Sequence, residues 1–272
     1  MKKSLGSVLG CASIFVFSLT IAGCNFFDSS SSSSTSTLRS QSAGLTISVA
    51  ASLTDAMEEV KLLWQQEEPA VALTFNFSSS GSLQAQIEQG APVDIFVSAA
   101  SKQMDFLQKQ GLILKSTRKN LLKNQVVLVE PRNALALKDF AGLRDETVKR
   151  IAIGDPASVP AGKYGSEVLT SLGIFQSVRP KLVLTKDVRQ VLSYVESENV
   201  NAGIVYLTDA QGSKQVRIVA IAPEKSHSPV VYPVAVLRDS KNVTAAQKFV
   251  QFLFGDRAKA VFKEHGFGIA AN

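Results

Sequence analysis

Ile47-Ser48-Val49-Ala50-Ala51-Ser52-Leu53-Thr54 is an apolar, β-like run that gives way to small and hydroxyl residues and then to a helix start. Three more segments share the design. They are Phe75-Asn76-Phe77-Ser78-Ser79-Ser80-Gly81-Ser82, Ile153 through Gly162, and Val183-Leu184-Thr185-Lys186-Asp187-Val188-Arg189. A helix start leaves backbone N–H groups without intrahelical acceptors and carries the positive end of the helix dipole. Several such starts converging on one cleft hold an anion without a fixed positive charge.

Outward from these joints, strand-like and helix-like segments alternate, the signature of an α/β fold. Ala56, Met57, Val60, Leu63 and Trp64 lie at helical spacing within 54–66, and Pro69 follows the helix. Strands are expected at 45–51, 72–77, 94–98 and 125–130, with helices at 83–89 and 102–110 between them. A second run has strands at 150–154, 181–185, 202–206 and 216–221 and helices at 162–172 and 189–198. A turn with a short helix is expected at 137–143. A strand at 230–237 and helices at 244–254 and 256–264 close the chain. The β-runs at 125–130 and 230–237 bracket the middle set. The simplest geometry takes the chain from lobe one (45–128 plus 232–272) to lobe two (129–231) and back. Ligands of open α/β sheets sit beyond the carboxyl ends of the strands, so two facing sheets make a cleft and the crossings a hinge.

The first residues are read apart from the fold. Lys2 and Lys3 precede an uncharged stretch from Leu5 to Ile21, then Ile21-Ala22-Gly23-Cys24. This pattern is an export signal over 1–23, too short for a lasting membrane span. Its ending resembles the lipobox of bacterial lipoproteins, which implies cleavage before Cys24 and lipid on that residue. Residues 24–44 then form a tether with six consecutive serines, Ser29–Ser34, a composition that cannot offset its ordering entropy. The chain has two cysteines, Cys11 and Cys24. With one removed and one lipidated, no disulfide, thiol nucleophile or cysteine metal site is expected.

The formal net charge is +6, and loss of Lys2 and Lys3 leaves +4. The basic residues are dispersed, without the arginine-rich run or interleaved aromatics of a nucleic-acid surface. His227 and His265 lack metal-ligand spacing. Gly-x-Ser-x-Gly and the phosphate loop Gly-x-x-x-x-Gly-Lys-Ser/Thr are both absent. No catalytic residue, cofactor or direct metal ligand is therefore expected.

Each joint has a plain and a functional reading. One serine at a helix start is an ordinary N-cap. Ser78-Ser79-Ser80-Gly81-Ser82 offers four hydroxyls where one cap needs one, plus a glycine that admits close backbone approach. Asp155 through Gly162 is either a rigid connector or a set of exposed backbone donors. Tyr206 is either core or a phenolic donor.

Taken in order, Ala50–Ala56, Phe77–Leu83, Gly90–Phe96, Gly154–Tyr164, Asp187–Arg189, Gly203–Tyr206 and Tyr232–Val236 resemble the periplasmic molybdate-binding proteins of ABC importers. The resemblance covers essentially 45–269. It implies a two-lobed class II periplasmic binding protein fold with a hinge of two crossing strands. It implies a lipid-anchored, extracytoplasmic receptor, monomeric, that delivers molybdate or tungstate to a membrane ABC permease. In that family two serine hydroxyls, two backbone amides and a tyrosine hydroxyl hold the oxyanion, and local matching carries these roles to Ser52, Ser80, Ala161, Val188 and Tyr206. These residues touch the oxyanion's oxygens and do not coordinate the metal. The second loop departs from some relatives, which have serine for Gly81 and threonine before the leucine, so the register between Ser79 and Ser80 stays open.

The implied chemistry is self-consistent. Molybdate and tungstate are tetrahedral dianions without a proton at neutral pH, and a donor-only site suits them. Neutral donors avoid the desolvation penalty of a buried ion pair. Cavity size discriminates against smaller sulfate through unmet hydrogen bonds but does not separate molybdate from tungstate. The alternatives are the same fold tuned to sulfate or another tetrahedral oxyanion, a serine hydrolase using Ser52 or Ser80, and a scaffold with an empty cleft.

Overall fold

A computed structural model describes residues 44–134 and 137–271. The expected signal segment, Cys24 and the tether lie outside the described residues. The described residues fall within one compact unit.

The first sheet is begun by β1 (Gly44–Ala50), β2 (Ala72–Ser78) and β3 (Ile95–Val97). Helices α1 (Thr54–Glu67) and α2 (Ser80–Glu88) connect them, and α3 (Ser101–Lys109) follows β3. β1 pairs in parallel with β2 and β3. Leu45, Ile47, Ser48 and Val49 are all fully buried, as expected of a strand covered on both faces. The chain then adds β4 (Lys119–Lys123) and passes through Asn124 and Gln125 into β5 (Val126–Pro131).

β5 belongs to a second sheet. There β6 (Ile151–Gly154), α4 (Pro160–Ser171), α5 (Phe175–Val178), β7 (Leu182–Thr185), α6 (Val188–Glu196), β8 (Ala202–Tyr206), α7 (Leu207–Gln211) and β9 (Val216–Ile221) follow in order. β6 pairs in parallel with β7 and β8, and β5 runs antiparallel to β8 and β9. The chain returns at β10 (Val231–Val236), then adds α8 (Val243–Leu253), α9 (Asp256–Glu264) and β11 (Gly268–Ile269). The strand orders are β11-β4-β10-β3-β1-β2 and β7-β6-β8-β5-β9. The two crossings fall at Asn124-Gln125 and between β9 and β10.

Most expected elements occur within a few residues of their anticipated ends. β4 and β11 were not expected. Lys119-Asn120-Leu121-Leu122-Lys123 has only two apolar residues, too few for a periodicity signal, and becomes a strand by pairing with β10 and β11. Among the helices that begin earlier than expected, the shifts of α2, α4 and α6 each move a cleft residue into a first helical turn. Pro160 occupies the first turn of α4, where its missing N–H costs nothing. Asp187 caps α6 by accepting the Gln190 N–H at 2.9 Å. Ser79 caps α2.

The core of the first sheet is anchored by Trp64 of α1, which meets Phe249 and Phe252 of α8 edge-on at 5.1 and 5.3 Å between ring centroids. The Trp64 indole N–H donates to the Val71 carbonyl at 3.0 Å, so the ring is buried with its polar atom satisfied. Truncation to alanine is expected to cost about 3–5 kcal/mol.

Candidate oxyanion site

Five chain segments end on one small cavity. The turn after β1 brings Ser52, the first turn of α2 brings Ser80, and α4 brings Ala161. The first residue of α6 brings Val188, and the end of β8 brings Tyr206. The five residues singled out from sequence thus line the same space, although they come from both sheets.

Among the described residues no lysine, arginine or histidine lines this cavity. Asp187, the one carboxylate among its walls, is engaged as the cap of α6. Positive potential comes from the starts of α2, α4 and α6. Ala161 and Val188 lie in first helical turns, where an N–H has no intrahelical acceptor. Gly162 permits the tight joint behind Ala161, since a Cβ there would lie 1.8 Å from the Gly154 carbonyl oxygen.

The hydroxyls differ in their engagements. The Ser79 hydroxyl is used within its own turn, accepting from the Ser82 N–H and donating to Ser82 Oγ at 2.8 Å. Ser80 Oγ accepts the Ala99 N–H at 2.9 Å, which leaves its own proton for the cavity. Ser52 Oγ and Tyr232 Oη lie 2.9 Å apart. Tyr206 Oη is buried and has no hydrogen-bond partner. Burial drives the Tyr206 hydroxyl well above its ordinary pKa, with the neighbouring Tyr232 and Tyr164 adding to the effect. It therefore stays protonated, as a donor aimed at the cavity must.

No histidine hydrogen-bonds either cavity serine. His265 Nε2 faces Glu59 at 2.9 Å, and His227 Nδ1 faces the Ser228 carbonyl at 2.7 Å. Among the described residues no group of three or more His, Cys, Asp or Glu could hold a metal ion. No described helix is long and apolar enough to cross a membrane. What the cavity can do chemically is donate hydrogen bonds from hydroxyls and amides to a small acceptor-rich ligand.

Sequence reading missed three residues whose polar groups support the site: Ala99 through its backbone N–H, Asn124 and Tyr232. Tyr232 lies in a motif singled out from the sequence but received no role. Its partner Ser52 is 180 positions away, and no local pattern reports that distance.

A pair of α/β sheets joined by two crossings, with helix starts meeting at one cavity, defines a solute-binding protein. The family model of bacterial extracellular solute-binding proteins matches residues 45–268, and the chain belongs to that family, one of transport receptors rather than enzymes. The molybdate-binding protein ModA of Haemophilus influenzae is 41% identical over 233 residues, covering 83% of this chain and 90% of its own. A Bacillus subtilis protein with the provisional name of an ABC transporter substrate-binding lipoprotein is 44% identical over 260 residues, covering 94% of this chain and 97% of its own. Among solved structures, the periplasmic molybdate-binding protein of Azotobacter vinelandii superposes with a TM-score of 0.76 at 24% identity, covering 84% of this chain and 100% of its own. This last likeness bears on the fold alone.

Proposed function

We propose that this protein captures molybdate or tungstate outside the cytoplasm and delivers it to an ABC permease in the membrane. The observation that carries the reading is the convergence of Ser52, Ser80, Ala161, Val188 and Tyr206 on one cavity without a cationic wall. The identity to ModA supports molybdate as the ligand. Ser80 rather than Ser79 is assigned the second hydroxyl, because Ser79 is spent on its own turn. The protein acts as a monomeric receptor with no cofactor, no nucleic-acid partner and no catalytic residue.

Cys24 carries the lipid in this reading, after removal of 1–23, and 24–44 tethers the domain to the membrane surface. The alignment with the Bacillus subtilis protein, which spans 94% of this chain, supports the anchor. The two lobes, expected at 45–128 plus 232–272 and 129–231, close over the ligand in this reading; because all of β5 pairs in the second sheet, the first boundary moves back to Asn124-Gln125.

Calorimetric titration of residues 41–272, stripped of ligand, tests the proposal. Tight one-to-one binding of molybdate and tungstate, with sulfate and phosphate silent, is the expected result. A preference for sulfate or phosphate would keep the fold and overturn the ligand. Binding of none of the four would overturn the function.

A further inference from the structure

Behind Ser52 lies a chain of hydrogen bonds whose direction can be deduced. The Gln125 N–H donates to Asn124 Oδ1 at 2.9 Å. A backbone N–H can only donate, so the carbonyl end of the Asn124 amide is the end that faces it. The Nδ2 end then faces Thr208 Oγ1 at 2.9 Å and Tyr232 Oη at 3.2 Å. Tyr232 Oη accepts from that amide, which leaves Ser52 Oγ, 2.9 Å away, as the acceptor for its proton among the described residues. Ser52 Oγ, once it accepts, has its proton left for the cavity. Ser80 reaches the same state by accepting the Ala99 N–H.

We propose that Tyr232, held by Asn124, is a positioning and specificity-determining residue that forces the Ser52 hydroxyl to act as a donor toward the bound oxyanion. The inference rests on the oxyanion reading of the cavity and deepens it. A site whose hydroxyls can only donate leaves the proton of a protonated oxyanion facing another proton. Discrimination against such ligands is then set behind the contact residue and not by it alone. Tyr232 suits the role because it is fully buried and its ring is fixed edge-on against Phe267 at 5.7 Å and tilted over Tyr206 at 6.0 Å. Burial also raises its pKa, so it keeps the proton it must give.

The location adds a second consequence. Asn124 lies in the first crossing, Tyr232 opens the strand after the second, and Thr208 belongs to the helix after β8. The polarity of Ser52 is thus set by residues where the chain passes between the two sheets.

Selenate and arsenate provide the test. Both are tetrahedral dianions of nearly equal size at slightly alkaline pH, but arsenate keeps one proton and selenate none. Competition of each against molybdate is measured on the wild type and on Tyr232→Phe, Asn124→Ala and Tyr206→Phe. In the wild type selenate should compete better than arsenate. Tyr232→Phe should lose about tenfold in molybdate affinity, the scale of one weakened buried hydrogen bond. It should also raise arsenate relative to selenate, since Ser52 is then free to accept. Asn124→Ala should shift the ratio the same way with the Tyr232 ring still in place. Tyr206→Phe should weaken all anions without raising that ratio. An unchanged ratio in both Tyr232→Phe and Asn124→Ala, with thermal unfolding showing folded protein, overturns the inference while leaving the oxyanion reading intact. A wild type that binds neither molybdate nor selenate overturns the oxyanion reading and this inference with it.

Discussion

The Gly81 N–H donates to the Ser158 carbonyl oxygen at 2.9 Å, joining the first turn of α2 to the loop ahead of α4. The two segments belong to the connections of different sheets, and the bond lies one residue along the chain from the cavity residues Ser80 and Val159. A Cβ on Gly81 would lie 2.3 Å from that oxygen. The approach therefore requires a residue without a side chain at this position.

Gly81→Ala should therefore weaken molybdate capture by about 1–3 kcal/mol, the usual cost of overpacking a tight contact. X-ray scattering of the ligand-saturated variant should show a larger radius than the saturated wild type. Gly44→Ala, with nothing within 4 Å of its Cβ position, is the neutral control. Equal affinity in Gly81→Ala would mean that the two segments part in the bound form.

Tyr206→Phe and Ser80→Ala should each weaken binding by about 1–3 kcal/mol through stranded ligand oxygens, yet differ in stability. Tyr206 Oη has no protein partner, so its removal should leave the ligand-free protein as stable as before or slightly more so. Ser80 Oγ satisfies the buried Ala99 N–H, so Ser80→Ala should also lower the urea midpoint. Calorimetry paired with chemical unfolding separates the two, and matching stability losses would contradict the assignment.

Asp209 is buried, and its Oδ2 accepts the Tyr206 N–H at 3.3 Å. Burial raises its pKa to about 7 from 3.8, against the lowering influence of Arg189. The folded state thus holds the proton more tightly than the unfolded state. Its contribution to stability is complete below about pH 4 and is lost as the pH rises through about 7. Asp209→Asn removes this dependence. Across that window the wild type should lose stability relative to the variant, as read from urea midpoints. Parallel profiles would show that Asp209 is ionised throughout.

Arg189 of α6 meets Asp55 of α1 at 2.9 Å, with both side chains partly exposed at 38% and 54%. An exposed pair of this kind is worth about 0–1 kcal/mol and is screened by salt. Arg189→Gln should change molybdate affinity by less than about fivefold, and less still at high salt. A larger, salt-resistant loss measured by calorimetry would place Arg189 among the determinants of binding.

Much of this protein was legible before folding is considered. The alternation of strands and helices and the helix starts after β1, β2, β6 and β7 follow from short-range patterns, whereas the five residues that meet at the cavity were indicated by the family resemblance. Side-chain periodicity of 2 or 3.6 and the capping chemistry of serine, aspartate and proline act over a few residues, so the sequence carries them openly. The starts of α2, α4 and α6 were misplaced by one to three residues, because a capping residue and a first-turn residue look alike until the chain's path is known.

Other features needed the folded chain. Lys119–Lys123 becomes a strand only because β10 and β11 lie beside it. Ser79 and Ser80 are adjacent and identical in sequence, and only their neighbours, Ser82 in one case and Ala99 in the other, separate a cap from a cavity donor. The direction of the Ser52 hydroxyl depends on Tyr232 and Asn124, far along the chain. By itself the sequence determined which residue types stand at each helix start. The tertiary structure decided which of their protons face the cavity, because a hydroxyl proton is oriented by the groups that surround it in space.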